Sequence, residues 1–157
     1  MSSMARFALI LLLLLAVVAA PARGAGSDLW ATVNVCDTAG HPNQIGVRAS
    51  MPGGKRGTRL LMRFRVQYRD ISTGRWRSVR DADSGWRKAG KGRATREAGW
   101  SFEVAGEGTR ILRGVVTYRW KRNGHAVRNA KRVTASGHRS TDGADPADFS
   151  AATCRID

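Results

Sequence analysis

The chain has 157 residues, and 27 Lys and Arg stand against 12 Asp and Glu, a formal net charge of +15. Hydrophobic residues make up 42%, too many for a disordered polybasic tail. Two cysteines are too few for a multi-disulfide miniprotein or a four-cysteine zinc site, and 18 glycines without a fixed period exclude a collagen.

Residues 1–24 read as a secretory signal peptide. Arg6 supplies a positive start, the stretch 7–20 carries no polar side chain, and Pro21 breaks it. Ala20-Pro21-Ala22 and Ala22-Arg23-Gly24 both offer small residues at a cleavage site. The run is shorter than the ~20 residues a spanning helix needs, and nothing after residue 25 is apolar enough to cross a bilayer. Cleavage after Gly24 removes Arg6 and Arg23 and no acid, so residues 25–157 form a denser cation. The expected location is secreted, extracellular or in the cell envelope. An oxidising compartment then predicts a Cys36–Cys154 disulfide. That bridge would tie a polar tail, residues 136–152, beside the first strand.

In chain order, strands are expected at Trp30–Cys36, Ile45–Met51, Leu60–Tyr68, Arg75–Val79, Trp100–Val104, Ile111–Arg122 and Ala126–Thr134. The third shows period two most clearly. Leu60, Met62, Phe64, Val66 and Tyr68 form one face, and Arg63, Arg65, Gln67 and Arg69 the other. Leu112, Val116, Tyr118 and Trp120 oppose Arg113, Arg119 and Lys121 in the same way. Asn123-Gly124 is the strongest short hairpin signal, since both central residues of a type I′ turn need positive φ. Pro52-Gly53-Gly54 ends the second strand, and Ser72-Thr73-Gly74 makes a turn after Tyr68. No helical period follows the leader. The expected fold is all-β, a single antiparallel sandwich domain over residues 25–157, with a small closed barrel as the competing architecture.

The Phe64-Arg65-Val66-Gln67-Tyr68 strand resembles a central strand of an immunoglobulin-like or fibronectin-III-like sandwich. Tyr118-Arg119-Trp120 and the Asn-Gly hairpin resemble its last two strands. An antibody-type domain has a cysteine two residues after that tyrosine. Here the position is Trp120, so the resemblance implies no inter-sheet disulfide of that kind and leaves the bridge to fasten the tail. The Asn34-Val35-Cys36-Asp37 and Ser150-Ala151-Ala152-Thr153-Cys154 segments are similar to small exported proteins of high-GC bacteria without assigned activity. The resemblance implies no catalytic or binding residues.

Charge is segregated. Residues 38–68 and 108–141 contain no acid, while 140–157 carries four Asp and one Arg. If the third and sixth strands are neighbours, Arg63, Arg65, Arg113, Arg119 and Lys121 share one sheet surface. Like charges across strands repel, and an anionic polymer would relieve them. Arginine outnumbers lysine 22 to 5, a composition suited to phosphate and carboxylate and also favoured by GC-rich codons. The expected partner is an anionic envelope polymer (teichoic acid or acidic polysaccharide), an anionic lipid surface or another extracellular protein. Export argues against nucleic acid. Trp76, Trp86 and Trp100 are assigned to the core, with sugar stacking as the alternative.

Enzyme chemistry is not expected, and neither a cofactor nor a metal. His41, His125 and His138 lack metal-ligand spacing, and His138, Asp142 and Asp145 read as a solvated loop. Asp81-Ala82-Asp83-Ser84-Gly85 is an incomplete calcium loop. Gly53-Gly54-Lys55-Arg56-Gly57 lacks phosphate-loop spacing, and no nucleophile elbow occurs. The sequence thus points to a non-enzymatic binding module with a basic sheet face. A secreted inhibitor or host-directed ligand docking through the Met51–Gly57 loop is the alternative.

Overall fold

The computed structural model describes residues 29–104 and 108–157. The leader proposed at 1–24 lies outside them. Among the described residues no helix is long and apolar enough to cross a membrane.

Among the described residues, eight strands form two antiparallel sheets. They are β1 (Trp30–Thr38), β2 (His41–Met51), β3 (Arg59–Arg69), β4 (Trp76–Lys91), β5 (Arg96–Glu103), β6 (Arg110–Arg122), β7 (His125–Val133) and β8 (Cys154–Ile156). The smaller sheet runs β1-β2-β5, and the larger runs β4-β3-β6-β7 with β8 also paired to β6. Strand β3 occupies one edge of β6 along Leu112–Lys121, so β8 takes the other edge at Arg110–Leu112, the stretch that β7 leaves open.

Alternation explains the layers. Ile45, Val47, Ala49 and Met51 of β2 meet Leu60, Met62, Phe64 and Val66 of β3 and Leu112, Val116, Tyr118 and Trp120 of β6 in one buried cluster. The largest fully buried side chain is Tyr118, whose phenol donates to the Trp30 carbonyl at 2.5 Å. Trp120 satisfies its indole N–H on the Pro52 carbonyl at 2.9 Å. Both polar tips therefore find backbone acceptors inside an otherwise apolar layer. At the β6–β7 turn, Asn123 (φ 51°) and Gly124 (φ 83°) take the left-handed conformations that a two-residue hairpin demands.

Four strands differ from the sequence reading, β8 being one it did not contain. Strand β2 begins at His41 and β5 at Arg96, because each is held by ladder partners well before its apolar run starts. Strand β4 does not stop at Val79 but continues to Lys91. Its pairing with β3 jumps from Gln67↔Ser78 to Arg65↔Asp83, so β4 carries extra residues that bulge and reset its faces. The Asp81–Gly85 segment is thus strand and bulge, with Asp81 at φ 63° and Gly85 at φ 64°.

The tail is structured. Cys36 and Cys154 are bonded, with Cα atoms 5.3 Å apart and a sequence separation of 118. Since β1 belongs to the smaller sheet and β8 to the larger, the bridge does join the two sheets, contrary to the expectation that it only fastens the tail. Ala151 exchanges backbone hydrogen bonds with Val33 at 2.9 and 3.0 Å, and Asp145 N–H donates to the Asn34 carbonyl at 2.9 Å. The tail so covers the free edge of β1, which would otherwise offer unpaired backbone groups.

Candidate functional site

The outer face of the larger sheet is built by the odd residues of β3 and β6. Each acquires neighbours from the register. Arg63 lies between Trp86 and Thr117, Arg65 between Asp83 and Val115, and Gln67 between Ser78 and Arg113. Arg119 lies between Leu61 and Asn129. The expected head-on repulsion among Arg63, Arg65, Arg113 and Arg119 is therefore absent. A stagger along the strands sets each base against a neutral or acidic residue.

The individual environments differ. Arg63 forms a forked pair with Asp83, its Nε lying 2.8 and 3.0 Å from the two carboxylate oxygens while Nη2 also contacts Oδ2. Arg63 holds the Asp83 carboxyl below the usual carboxylate range, and Asp83 raises the guanidinium in return. This base is already neutralised. Arg65 donates from Nη2 to Thr117 Oγ1 at 3.2 Å, and its buried Nε has no hydrogen-bond partner among the described residues. Val115 is only 2% exposed although it stands on this outer face, outside the core cluster. Its register neighbours are Arg65 and Val133; arginine stems bury apolar surface in this way.

Arg113 and Arg119 share one arrangement. Arg113 donates from Nε to Gln67 at 2.9 Å and lies 4.2 Å over the Trp76 ring. Arg119 donates from Nε to Asn129 at 2.9 Å and lies 4.1 Å over the Trp86 ring. Burial lowers the Arg113 pKa somewhat. Neither arginine uses its terminal nitrogens on a protein partner among the described residues. Lys121 follows Arg119 on the same face, towards the β6 end, opposite Arg59 of β3.

The three tryptophans are not in the core. Trp76 and Trp86 are half-buried platforms for arginines, and Trp100 is 37% exposed with Arg87 stacked 3.9 Å above it. The reason is position. Trp76 and Trp86 fall on the outer face of edge strand β4, opposite Arg69 and Arg63. Trp100 sits on edge strand β5, where Arg87 of β4 closes the seam between the sheets. Nothing in the sequence signalled this: alternation sets Trp76 on the face opposite its neighbours Arg75 and Arg77, which reads as core.

The tail residues are tethered to the sheets, although the Asp142 side chain is also exposed to solvent. Asp145 accepts hydrogen bonds from Thr38 and from His41, the latter at 3.0 Å, and both hold its carboxyl low. Asp142 pairs with Arg48 at 2.9 Å. His138 stacks on Trp30 with ring centroids 4.6 Å apart, and burial lowers its pKa. Among the described residues no three His, Cys, Asp or Glu gather where they could hold a metal ion. The Met51–Gly57 loop is pinned at its base. Gly54 N–H donates to the Gly92 carbonyl at 2.8 Å, and only Lys55, Arg56 and Gly57 are exposed.

Compared with known proteins, the chain matches no family model, no curated protein and no solved structure.

Proposed function

We propose that the protein is a non-enzymatic, secreted or envelope-associated binding module that lays the outer face of its larger sheet against an anionic polymer or an acidic partner protein. The observation that carries this reading is the pair Arg113 and Arg119. Each is fixed by an indole and a neutral amide, and each keeps its terminal nitrogens uncommitted. A guanidinium held in place loses less side-chain entropy when an oxyanion docks, and its fork suits phosphate and carboxylate alike. Of the five bases first assigned to this face, Arg63 contributes least, because Asp83 occupies it. The strand order β1-β2-β5 against β4-β3-β6-β7 supports a fibronectin-III-like identity for the sandwich. The disulfide between the sheets supports an oxidising, extracytoplasmic location.

The test uses the full chain, expressed for export and recovered oxidised, on an anionic matrix at low and high salt. Retention should fall steeply with salt. The Arg113→Gln, Arg119→Gln double variant should elute well before an Arg139→Gln, Arg155→Gln control of equal charge. Retention that ignores salt, or that falls equally in both variants, counts against the reading.

A further inference from the structure

One end of the same face breaks the stagger that holds elsewhere. Arg59 of β3 stands in direct register with Lys91 of β4 on one side and Lys121 of β6 on the other. Further along β3, the register partners of Arg63 and Arg65 are neutral or acidic. Here three cations lie abreast, which costs stability. None of the three has an ion-pair or hydrogen-bond partner among the described residues. The segments that meet at this end, 52–59, 88–96 and 119–128, contain no Asp or Glu.

The three bases line a cleft of ~320 Å3 together with Gly57, Asn123 and Gly124. The backbone around it is braced. The hairpin turn is set by Asn123 and Gly124 at positive φ. The neighbouring loop is clamped to the end of β4 by Gly54 N–H to the Gly92 carbonyl at 2.8 Å and Gly92 N–H to the Thr58 carbonyl at 2.9 Å. Gly53 packs so closely that a Cβ there would come within 1.9 Å of the Arg93 carbonyl oxygen. The Asn123 side chain has no partner among the described residues, so a neutral hydrogen-bonding group stands beside the three charges.

We propose that this cleft binds a terminal phosphate group. Three cations around one hollow call for an anion with more than one charge and at least three acceptor oxygens. A carboxylate has one charge and two oxygens. A phosphate offers its oxygens to the Arg59 fork and to two lysine point charges at once. The site names the ligand chemistry of the anion-binding reading above and rests on it only in placing an anion on this sheet. It also assigns a role to Arg59 and Lys91, neither of which belongs to the Arg113–Arg119 group.

The experiment titrates the full, oxidised chain with inorganic pyrophosphate at low salt by calorimetry. One saturable site per chain is expected. Lys91→Gln and Lys121→Gln together should weaken it about tenfold or more, and Arg139→Gln, Arg155→Gln should not. Without anion, Lys91→Gln should melt no lower than the parent, since it removes a repulsion; that separates lost binding from lost fold. Competition by soluble polyphosphate, whose chain ends are terminal phosphates, places the group on a polymer, and competition by phosphatidic acid vesicles places it on a lipid; either supports the site. Binding that does not saturate, or that the control weakens equally, overturns it. Equal retention on polyphosphate and on polygalacturonate, unmoved by the lysine variants, overturns the cleft and leaves the basic face standing. Retention on neither overturns both.

Discussion

An arginine on a sheet exterior has about 2 kcal/mol of rotamer entropy to lose before it holds anything. Arg113 and Arg119 spend much of that in folding, because an indole lies beneath each and an amide oxygen takes the Nε proton. Their outward direction follows from period two and was legible in the sequence. Their platforms were not, since Trp76 reaches Arg113 across the whole width of β3. The carboxylates make a different kind of local structure. Asp70 accepts from the Ser72 hydroxyl at 2.6 Å and from the Thr73 N–H at 3.1 Å, and it pairs with Arg77 Nε at 2.6 Å. These contacts, Ser72 first, bring its pKa from 3.8 to about 2. A pKa lowered on folding means stability that is complete above the unfolded value and drains away as pH falls toward the folded one. The melting temperature should therefore drop as pH is taken from about 4 to about 2. Asp70→Asn should melt lower at neutral pH and show a shallower slope over that window. A slope unchanged by the substitution would show that Asp83, Asp145 and Asp157, also lowered, carry it instead.

Strands declared themselves in the sequence wherever one face is buried and the ladder is regular. Strands β3 and β6 fit that description, and their alternation survives into the structure with Val115 of β6, buried on the outer face, as an exception. Strand β4 hides because its bulges interrupt the period. Val79, Ala82 and Ser84 turn inward in an order that no period-two template matches. Short β8 hides for another reason: three residues hold no period, and only the free edge of β6 makes them a strand. Strand β6 sits between β3 and both β7 and β8, so its inward positions tolerate little. Gly114 is one of them. A Cβ there would stand 2.7 Å from Val47 on the opposite sheet and 2.7 Å from Thr134. Gly114→Ala should cost about 1–3 kcal/mol by overpacking, read as a lower denaturant midpoint with an unchanged slope. A variant as stable as the parent would mean the sheets can part at this point without penalty.

At the scale of the whole molecule, the tail and the bridge hold the two sheets in one arrangement. The chain leaves β7, meets β1 through the Ala135 N–H on the Ala31 carbonyl at 2.8 Å, runs along β1 and returns to β6 as β8. Thr134 donates to the Ala152 carbonyl at 2.6 Å where the outgoing and returning chains pass. Closing a loop with a sequence separation of 118 restricts the unfolded chain strongly. Replacing both cysteines by alanine should cost about 2–5 kcal/mol. The same change should loosen the 141–152 segment first, seen as faster amide exchange at Asp145 and Ala151 than at β3. Uniform exchange across the chain would show that the tail is held by its hydrogen bonds and not by the bridge.

The sequence by itself determined the strand-rich class, the identity of the apolar faces, the Asn123-Gly124 hairpin and the cysteine pair. All four rest on local rules, since alternation, turn chemistry and a count of two cysteines need no knowledge of neighbours. Only the tertiary structure decided which charges stand together. Registry between strands far apart in the chain puts Asp83 on Arg63 and indoles under Arg113 and Arg119, and it brings Arg59, Lys91 and Lys121 abreast. A charge acts through distance, and distance between strands is set by pairing, not by position in the sequence. An excess of arginine in the composition becomes a neutralised pair, two fixed forks and one unpaired row of three only once the sheet is assembled.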